Sequence, residues 1–136
     1  MKILFLTPQL PYPPRQGTTI RNDSLIRQVA QRHTVDLLTF LTPDQAAEQH
    51  SPLAKACRRL ATLPQPVRAL QQRALDTLRS PLPDMALRLE SRAMHGLVQD
   101  WLQDGYDIVQ IEGIEMAQYG FHALSSPPTG HKRPCL

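Results

Sequence analysis

The chain of 136 residues is poor in glycine, and this excludes several common ligand-binding motifs. Its six glycines form neither a G-x-G-x-x-G fingerprint nor the Gly-Lys-Ser/Thr run of a P-loop. Leu41-Thr42-Pro43 stands where a dinucleotide-binding fold places an acidic residue after its second strand. Thr7-Pro8-Gln9 lacks the carboxylates of a phospho-receiver. The sequence therefore argues against all three classes.

Cysteines and long apolar runs are also scarce. The two cysteines, Cys57 and Cys135, match no metal or redox spacing, and a buried free thiol at Cys57 fits a reducing compartment. Residues 3–6 are too short for the core of a signal peptide, and no run approaches the 18 apolar residues typical of a membrane span. We therefore expect a cytoplasmic location, with peripheral contact at the inner membrane face left open.

The net charge limits the partners that we expect, and the prolines mark the connecting segments of the chain. Fifteen basic and 12 acidic residues give a net charge of +3, which only weakly favours an anionic ligand or membrane surface. No block of five like charges occurs, and the arginines are not interleaved with aromatic residues, so we expect no nucleic-acid partner. The 13 prolines cluster in the first loop, in residues 64–83 and in the tail, which marks these segments as connections.

The opening of the chain predicts a βαβ unit. Lys2–Thr7 is a continuous apolar run, as expected of a strand buried on both faces of a parallel sheet. Apolar residues at helical spacing follow, capped by Thr18 or Thr19, and Thr34–Leu41 reads as a second strand. The predicted fold is α/β and Rossmann-like, a mostly parallel sheet with flanking helices whose first strand is central.

Periodicity and turn residues predict one domain over residues 1–124 and an unstructured tail over 125–136. Its remaining elements are a short helix at 43–49, a helix starting at Ser51-Pro52, an edge strand at 61–67, a helix at 67–78, a long helix at 84–103, a strand at 106–112 and a short helix from Gly113 to about 123.

The junction of the first strand with the first helix is the candidate site. In open α/β sheets ligands bind beyond the carboxyl ends of the strands, against a helix N-terminus. Gly17 allows a close backbone approach, and Arg15 and Arg21 lie nearby, which together could cradle an anion. The alternative is a glycine that merely permits a turn, beside solvated arginines. Glu112 ends a strand at the same edge, where it is either a hydrogen-bonding partner for a sugar hydroxyl or a solvated loop carboxylate.

Four segments of the sequence resemble a known family. Met-Lys-Ile-Leu-Phe-Leu-Thr-Pro-Gln-Leu-Pro-Tyr-Pro-Pro-Arg-Gln-Gly at 1–17, Arg21-Asn22, residues 32–40 and Tyr106-Asp-Ile-Val-Gln-Ile-Glu at 106–112 are similar to bacterial family 4-like glycosyltransferases. The likeness is greatest to sugar transferases of exopolysaccharide biosynthesis. It covers residues 1 to about 122, and the first loop is its most specific part.

The resemblance implies a GT-B fold, in which two Rossmann-like domains face a cleft. The amino-terminal domain of such enzymes mainly holds a glycan or lipid-linked acceptor, and the other mainly holds a nucleotide-sugar, which is a co-substrate and not a cofactor. Transfer retains the anomeric configuration, and no metal is expected. By position, Tyr12, Arg15, Gly17 and Arg21 would bind substrate at the cleft, with Glu112 at its mouth.

The chain departs from the family after residue 112, because similar proteins continue with further strands and a donor domain. We therefore expect a truncated chain that is inactive by itself, with an unpaired sheet edge prone to self-association. The alternative from a different class is a non-catalytic α/β remnant or small-ligand-binding module without turnover.

Overall fold

The computed structural model describes residues 1–45, 51–66, 84–125 and 134–135. The elements in chain order are β1 (Lys2–Thr7), α1 (Gly17–Ala30), β2 (Thr34–Leu41), α2 (Leu53–Ala56), β3 (Arg59–Pro64), α3 (Asp84–Leu87), α4 (Arg92–Leu102), β4 (Ile108–Ile111), a 3₁₀ turn (Ile114–Met116) and α5 (Ala117–Ser125). The helix predicted at 67–78 lies outside the described residues. Of the helix predicted at 43–49, only 43–45 are described, and they form a turn.

The four strands form one parallel sheet in the order β3-β2-β1-β4. β1 is central, between β2 and β4, so the predicted α/β, Rossmann-like architecture is confirmed. β3 starts two residues earlier than predicted. It lies at the edge of the sheet, as predicted, because Pro64 has no N–H to donate to a neighbouring strand.

Helices cover both faces of the sheet. Leu4 and Leu6 of β1 join the larger apolar cluster, on the side of α4 and α5, while Ile3 and Phe5 join a second cluster on the side of α1 and α2. Side chains alternate between the two faces of a strand, so burial on both faces requires consecutive apolar residues. This is the physical reason for the continuous apolar run at the start of the chain.

The predicted long helix over residues 84–103 is wrong, because the chain leaves helical geometry between α3 and α4. Ser91 is extended, and its hydroxyl accepts a hydrogen bond of 3.3 Å from the backbone N–H of Met94, which caps a new helix. The carbonyl of Leu89 accepts a hydrogen bond from the hydroxyl of Tyr119. Met85, which the periodicity places in the core, is 60% exposed.

The start of α1 also differs from prediction. The capping residue is Gln16 rather than Thr18 or Thr19. The backbone N–H of Gln16 donates to the hydroxyl of Thr19 at 3.0 Å, and that hydroxyl donates to the carbonyl of Gln16 at 2.8 Å. Thr19, the third residue of the helix, therefore makes the side-chain hydrogen bonds that stabilise its first turn.

One point of the tail is attached to the sheet. The backbone N–H of Cys135 donates to the carbonyl of Asp107 at 3.0 Å, and its carbonyl accepts from the N–H of Val109 at 2.8 Å. Cys135 thus makes a parallel bridge with Ile108 on the outer edge of β4. Residues 126–133 and 136 of the predicted tail lie outside the described residues. Self-association through a sheet edge stays a prediction.

Candidate functional site

The candidate site lies at the carboxyl edge of the sheet. Because all four strands are parallel, the segments that follow them emerge at one edge, together with the start of α1. The proline-rich segment Pro8–Gln16 crosses this edge between β1 and α1.

Two glutamines hold that proline-rich segment in place. The side-chain amide of Gln45, after β2, donates to the carbonyls of Leu10 at 2.6 Å and Tyr12 at 3.2 Å. The side-chain amide of Gln65, after β3, donates to the carbonyl of Pro8 at 3.0 Å. The loop is therefore tied to the ends of the neighbouring strands rather than left free over the edge.

A cavity of about 350 Å³ opens beside this loop, and we call it the carboxyl-end pocket. Most of its lining side chains are polar, with amide, hydroxyl, guanidinium and carboxylate groups present together. The lining residues are Pro8, Gln9, Gln16, Thr18, Thr19, Arg21, Asn22, Gln65, Arg88, Glu112, Gly113 and Glu115. The pocket thus collects residues from the ends of three strands and from the first two turns of α1.

An ion pair between Arg21 and Glu112 spans the pocket. Nη2 of Arg21 contacts Oε2 of Glu112, and Oε1 of Glu112 accepts a hydrogen bond of 3.0 Å from the side chain of Gln110. The Glu112 side chain is only 8% exposed, whereas that of Arg21 is 65% exposed. The backbone N–H of Glu112 also donates to the carbonyl of Leu6 at 2.9 Å, so the carboxylate stands on a rigid part of the sheet.

A second, looser pair also lines the same pocket. Nη2 of Arg88 is 3.8 Å from Oε1 of Glu115. Between the pairs, Gly113 turns the chain with a φ of 91°, and a side-chain carbon there would lie 2.9 Å from the Glu115 carboxylate. The two arginines and two glutamates of the pocket balance each other in charge.

Arg15 and Tyr12 occupy other positions at the same edge. Arg15 lines an adjoining cavity of about 160 Å³, which shares Gln9, Gln16 and Thr19 with the carboxyl-end pocket. Tyr12 packs against the apolar cluster on the α1 side and lines neither of these two cavities. The structure therefore brings Arg21 and Glu112 into contact, places Arg15 next to them and turns Tyr12 toward the core.

Gly17 begins α1 between two residues that line the pocket. Among the described glycines, only Gly105 and Gly113 have a positive φ, so Gly17 uses a backbone conformation open to any residue. A side-chain carbon at Gly17 would meet nothing within 4 Å. Neither a turn nor close packing within the described chain requires glycine here. A role in substrate binding stays a prediction for Gly17, as it does for Tyr12, Arg15, Arg21 and Glu112.

Sequence reasoning missed several polar residues of the site, among them the pair of Arg88 with Glu115 and the amides of Asn22, Gln45 and Gln65. Gln45 closely follows the strand predicted at 34–41, and that position could have marked it as a residue of the carboxyl edge. Gln65 lies inside the strand predicted at 61–67 and follows the strand only in the structure, where β3 ends at Pro64. The sequence gives less indication that Asn22 belongs to the site. A polar residue inside an amphipathic helix is ordinarily read as solvent-facing, yet Asn22 is 6% exposed.

A separate polar cluster lies near the amino ends of the strands. The buried carboxylate of Asp36 accepts hydrogen bonds from Arg58 at 2.9 Å, from Arg59 at 3.2 Å and from the hydroxyl of Tyr106. The guanidinium of Arg59 also lies 4.2 Å from the ring centroid of Trp101. The cluster ties β2 and β3 to the end of α4.

Opposing effects act on the pKa of Asp36. Burial raises it, but hydrogen bonds from Arg58 and Tyr106, with the charges of Arg58 and Arg59, outweigh burial and hold it below its usual value. Burial and the hydrogen bond to Asp36 raise the pKa of Tyr106 well above that of a free tyrosine. Asp36 is therefore the anion and Tyr106 the neutral donor, an arrangement that stabilises the fold away from the pocket.

Comparisons with protein-family models, with curated proteins and with solved structures find no match for this chain. The described residues contain no group of three histidine, cysteine, aspartate or glutamate side chains that could hold a metal ion. None of the described helices combines the length and the apolar character that crossing a membrane requires.

Proposed function

We propose that the chain is the amino-terminal, acceptor-binding part of a retaining glycosyltransferase of exopolysaccharide biosynthesis. Such an enzyme moves a sugar from a nucleotide-sugar to a glycan or lipid-linked acceptor. The observation that carries the proposal is the polar, charge-balanced pocket at the carboxyl edge of a Rossmann-like sheet. The resemblance of residues 1–17 and 106–112 to family 4-like glycosyltransferases supports the same assignment.

The chemistry of the pocket suits hydroxyl groups. A carboxylate accepts hydrogen bonds, a guanidinium donates them, and a side-chain amide does both, so a polyol can be matched at each hydroxyl. Because Glu112 accepts from Arg21 and Gln110, its carboxylate has a fixed direction and still has lone pairs for a ligand hydroxyl. Orienting an acceptor hydroxyl in this way can lower a transfer barrier by several kcal/mol, on the order of 7–11 in the best cases.

The charge balance favours an uncharged acceptor over a phosphate. A phosphate bound at Arg21 would compete for the guanidinium with the carboxylate of Glu112, which is held by the sheet. A neutral sugar disturbs neither ion pair. The pocket is therefore assigned to the acceptor and not to the diphosphate of the donor.

The second candidate function, ligand binding without turnover, is favoured by one specific observation. Both glutamates of the pocket face arginines, at Arg21 and at Arg88, so neither is an unpaired carboxylate that could serve as a general base. The same polyol would then bind with no transfer reaction to follow.

The test is a titration of ¹⁵N-labelled protein with the methyl glycosides of glucose, galactose and mannose, and separately with inorganic phosphate. We expect at least one glycoside to shift the backbone amides of Thr19, Glu112 and Gly113, and phosphate to leave them in place. In a transfer assay with uridine- and guanosine-diphosphate sugars we expect no turnover by this chain alone, and turnover would rule out the binding module. Pocket shifts with phosphate but with no glycoside would overturn the assignment to an acceptor.

A further inference from the structure

The side chain of Asn22 has a hydrogen-bond donor that the described chain does not use. Asn22 lies on the second turn of α1, is 6% exposed and lines the carboxyl-end pocket. Its side-chain oxygen accepts a hydrogen bond of 3.4 Å from Nε of Arg21. Its side-chain nitrogen donates to none of the described residues.

The orientation of this amide follows from its neighbour. A guanidinium can only donate hydrogen bonds, so the oxygen of Asn22 must face Arg21 and the nitrogen must point elsewhere. The side-chain nitrogen of Asn22 is not among the fully buried atoms that lack a partner in the described chain, so it is open to the cavity that Asn22 lines. A nine-tenths buried amide that lines a cavity while its donor is unused is therefore suited to a ligand.

The acceptor beside this donor is Glu112. Arg21 contacts both residues, through Nε to Asn22 and through Nη2 to Glu112, so one guanidinium sets the direction of both side chains. The pocket thereby offers one donor and one acceptor beside the same arginine. Two neighbouring hydroxyls of a sugar ring present the complementary pair, since each hydroxyl both donates and accepts.

We infer that Asn22 is a specificity-determining residue, whose side-chain nitrogen donates to one hydroxyl of a sugar diol while Glu112 accepts from the next. This inference rests on the proposed function and names the donor that the predicted site residues lack. A ligand without the diol would cover the nitrogen of Asn22 without accepting its hydrogen bond, which sites of this kind reject strongly.

The experiment compares two amide-to-acid variants on α1. Asn22→Asp keeps the size of the side chain and removes its donor, whereas Gln28→Glu makes the same charge change at an exposed position of the same helix. In the glycoside titration we expect the side-chain amide signals of Asn22 to shift together with the backbone signals of Glu112. We expect Asn22→Asp to weaken glycoside binding at least tenfold and Gln28→Glu to change it less than twofold.

The outcomes separate this inference from the function on which it rests. If glycosides shift the pocket but Asn22→Asp binds them as the parent does, Asn22 is not the donor, while the acceptor assignment stands. If no glycoside shifts the pocket, both proposals are wrong. Asn22→Ala, which carries no added charge, covers the case in which Asn22→Asp does not fold, and thermal unfolding of each variant reports on folding.

Discussion

The guanidinium of Arg21 on α1 contacts the carboxylate of Glu112 after β4, and this contact joins residues that are 91 positions apart in the sequence. The two elements lie at different layers of the fold, one in the sheet and one on its face. The pair therefore links the start of α1 to the end of β4 across the carboxyl-end pocket.

Removing the cation should cost stability. Arg21→Met leaves the buried carboxylate of Glu112 with Gln110 as its remaining side-chain donor, and because Arg21 is largely exposed we expect a loss of about 1 kcal/mol. Urea unfolding measures it, and a double-mutant cycle with Glu112→Gln isolates the pair. Arg32→Met, at an exposed position just beyond α1, is the matched control, and an equal loss there would show that the contact contributes nothing specific.

Gly17 and Gly96 offer a second matched comparison. A side-chain carbon meets nothing within 4 Å at either position, and both glycines lie in helices. Replacing glycine by alanine in a helix favours folding, so we expect each variant to be more stable by roughly 0.5–1 kcal/mol. Gly17 is the first residue of α1, where helix propensity affects stability less than in the helix interior. We therefore expect Gly17→Ala to gain less stability than Gly96→Ala.

Only Gly17→Ala should also weaken ligand binding, because Gly17 lies between two pocket residues and Gly96 does not. Thermal unfolding and the glycoside titration measure the two effects independently. Equal glycoside affinity of both variants would mean that no ligand approaches the backbone at Gly17.

The sequence could predict which edge of the sheet carries the site, but not the contacts within it. The apolar run of β1 and the helical crossovers predict a parallel sheet, and a parallel sheet necessarily brings residues after β1 and β4 to one edge. The rotation of α1 about its axis decides whether Arg21 reaches Glu112 and whether Asn22 is buried. That rotation depends on packing against the whole sheet, which no local pattern encodes.

The break at Ser91 shows a different limit. Apolar residues at Leu89, Ala93 and Leu97 continue the helical spacing through the break, so periodicity gives no sign of it. Ser91 is a strong capping residue, yet serine also occurs within helices. The structure adds a distant contact at the break, because the hydroxyl of Tyr119 donates to the carbonyl of Leu89, 30 residues earlier in the sequence.

The two cysteines should differ sharply in reactivity. Burial, reinforced by the charge of Asp36, raises the pKa of the Cys57 thiol to about 12, whereas the side chain of Cys135 is exposed. At pH 8 we expect iodoacetamide to modify Cys135 within minutes and Cys57 only after unfolding in urea, with peptide mass spectrometry identifying the site. Cys135→Ser should remove the fast reaction, and rapid modification of Cys57 in that variant would contradict its buried position.

The polar cluster around Asp36 predicts how stability depends on pH. The folded-state pKa of Asp36 lies below its usual value of about 3.9, so its ionised form contributes stability above that pH. This contribution is lost as the pH falls through the folded-state pKa. The pKa of Tyr106 is raised instead, so above about pH 10 the unfolded chain loses this proton first and stability declines.

Two variants test the acid and the alkaline parts of this pH dependence of stability, by urea unfolding between pH 2 and pH 11. Asp36→Asn should lower stability at pH 7 by roughly 3 kcal/mol, since it removes the buried anionic partner of Arg58 and Arg59 and leaves them paired with the more exposed Asp104. It should also make stability depend less steeply on pH in the acid range. Tyr106→Phe removes one donor to Asp36 and the titrating hydroxyl. It should therefore lower the free energy of unfolding by about 1 kcal/mol at pH 7 and make stability fall less steeply at alkaline pH. If the stability of Asp36→Asn falls as steeply with decreasing pH as that of the parent, other carboxylates cause the acid unfolding.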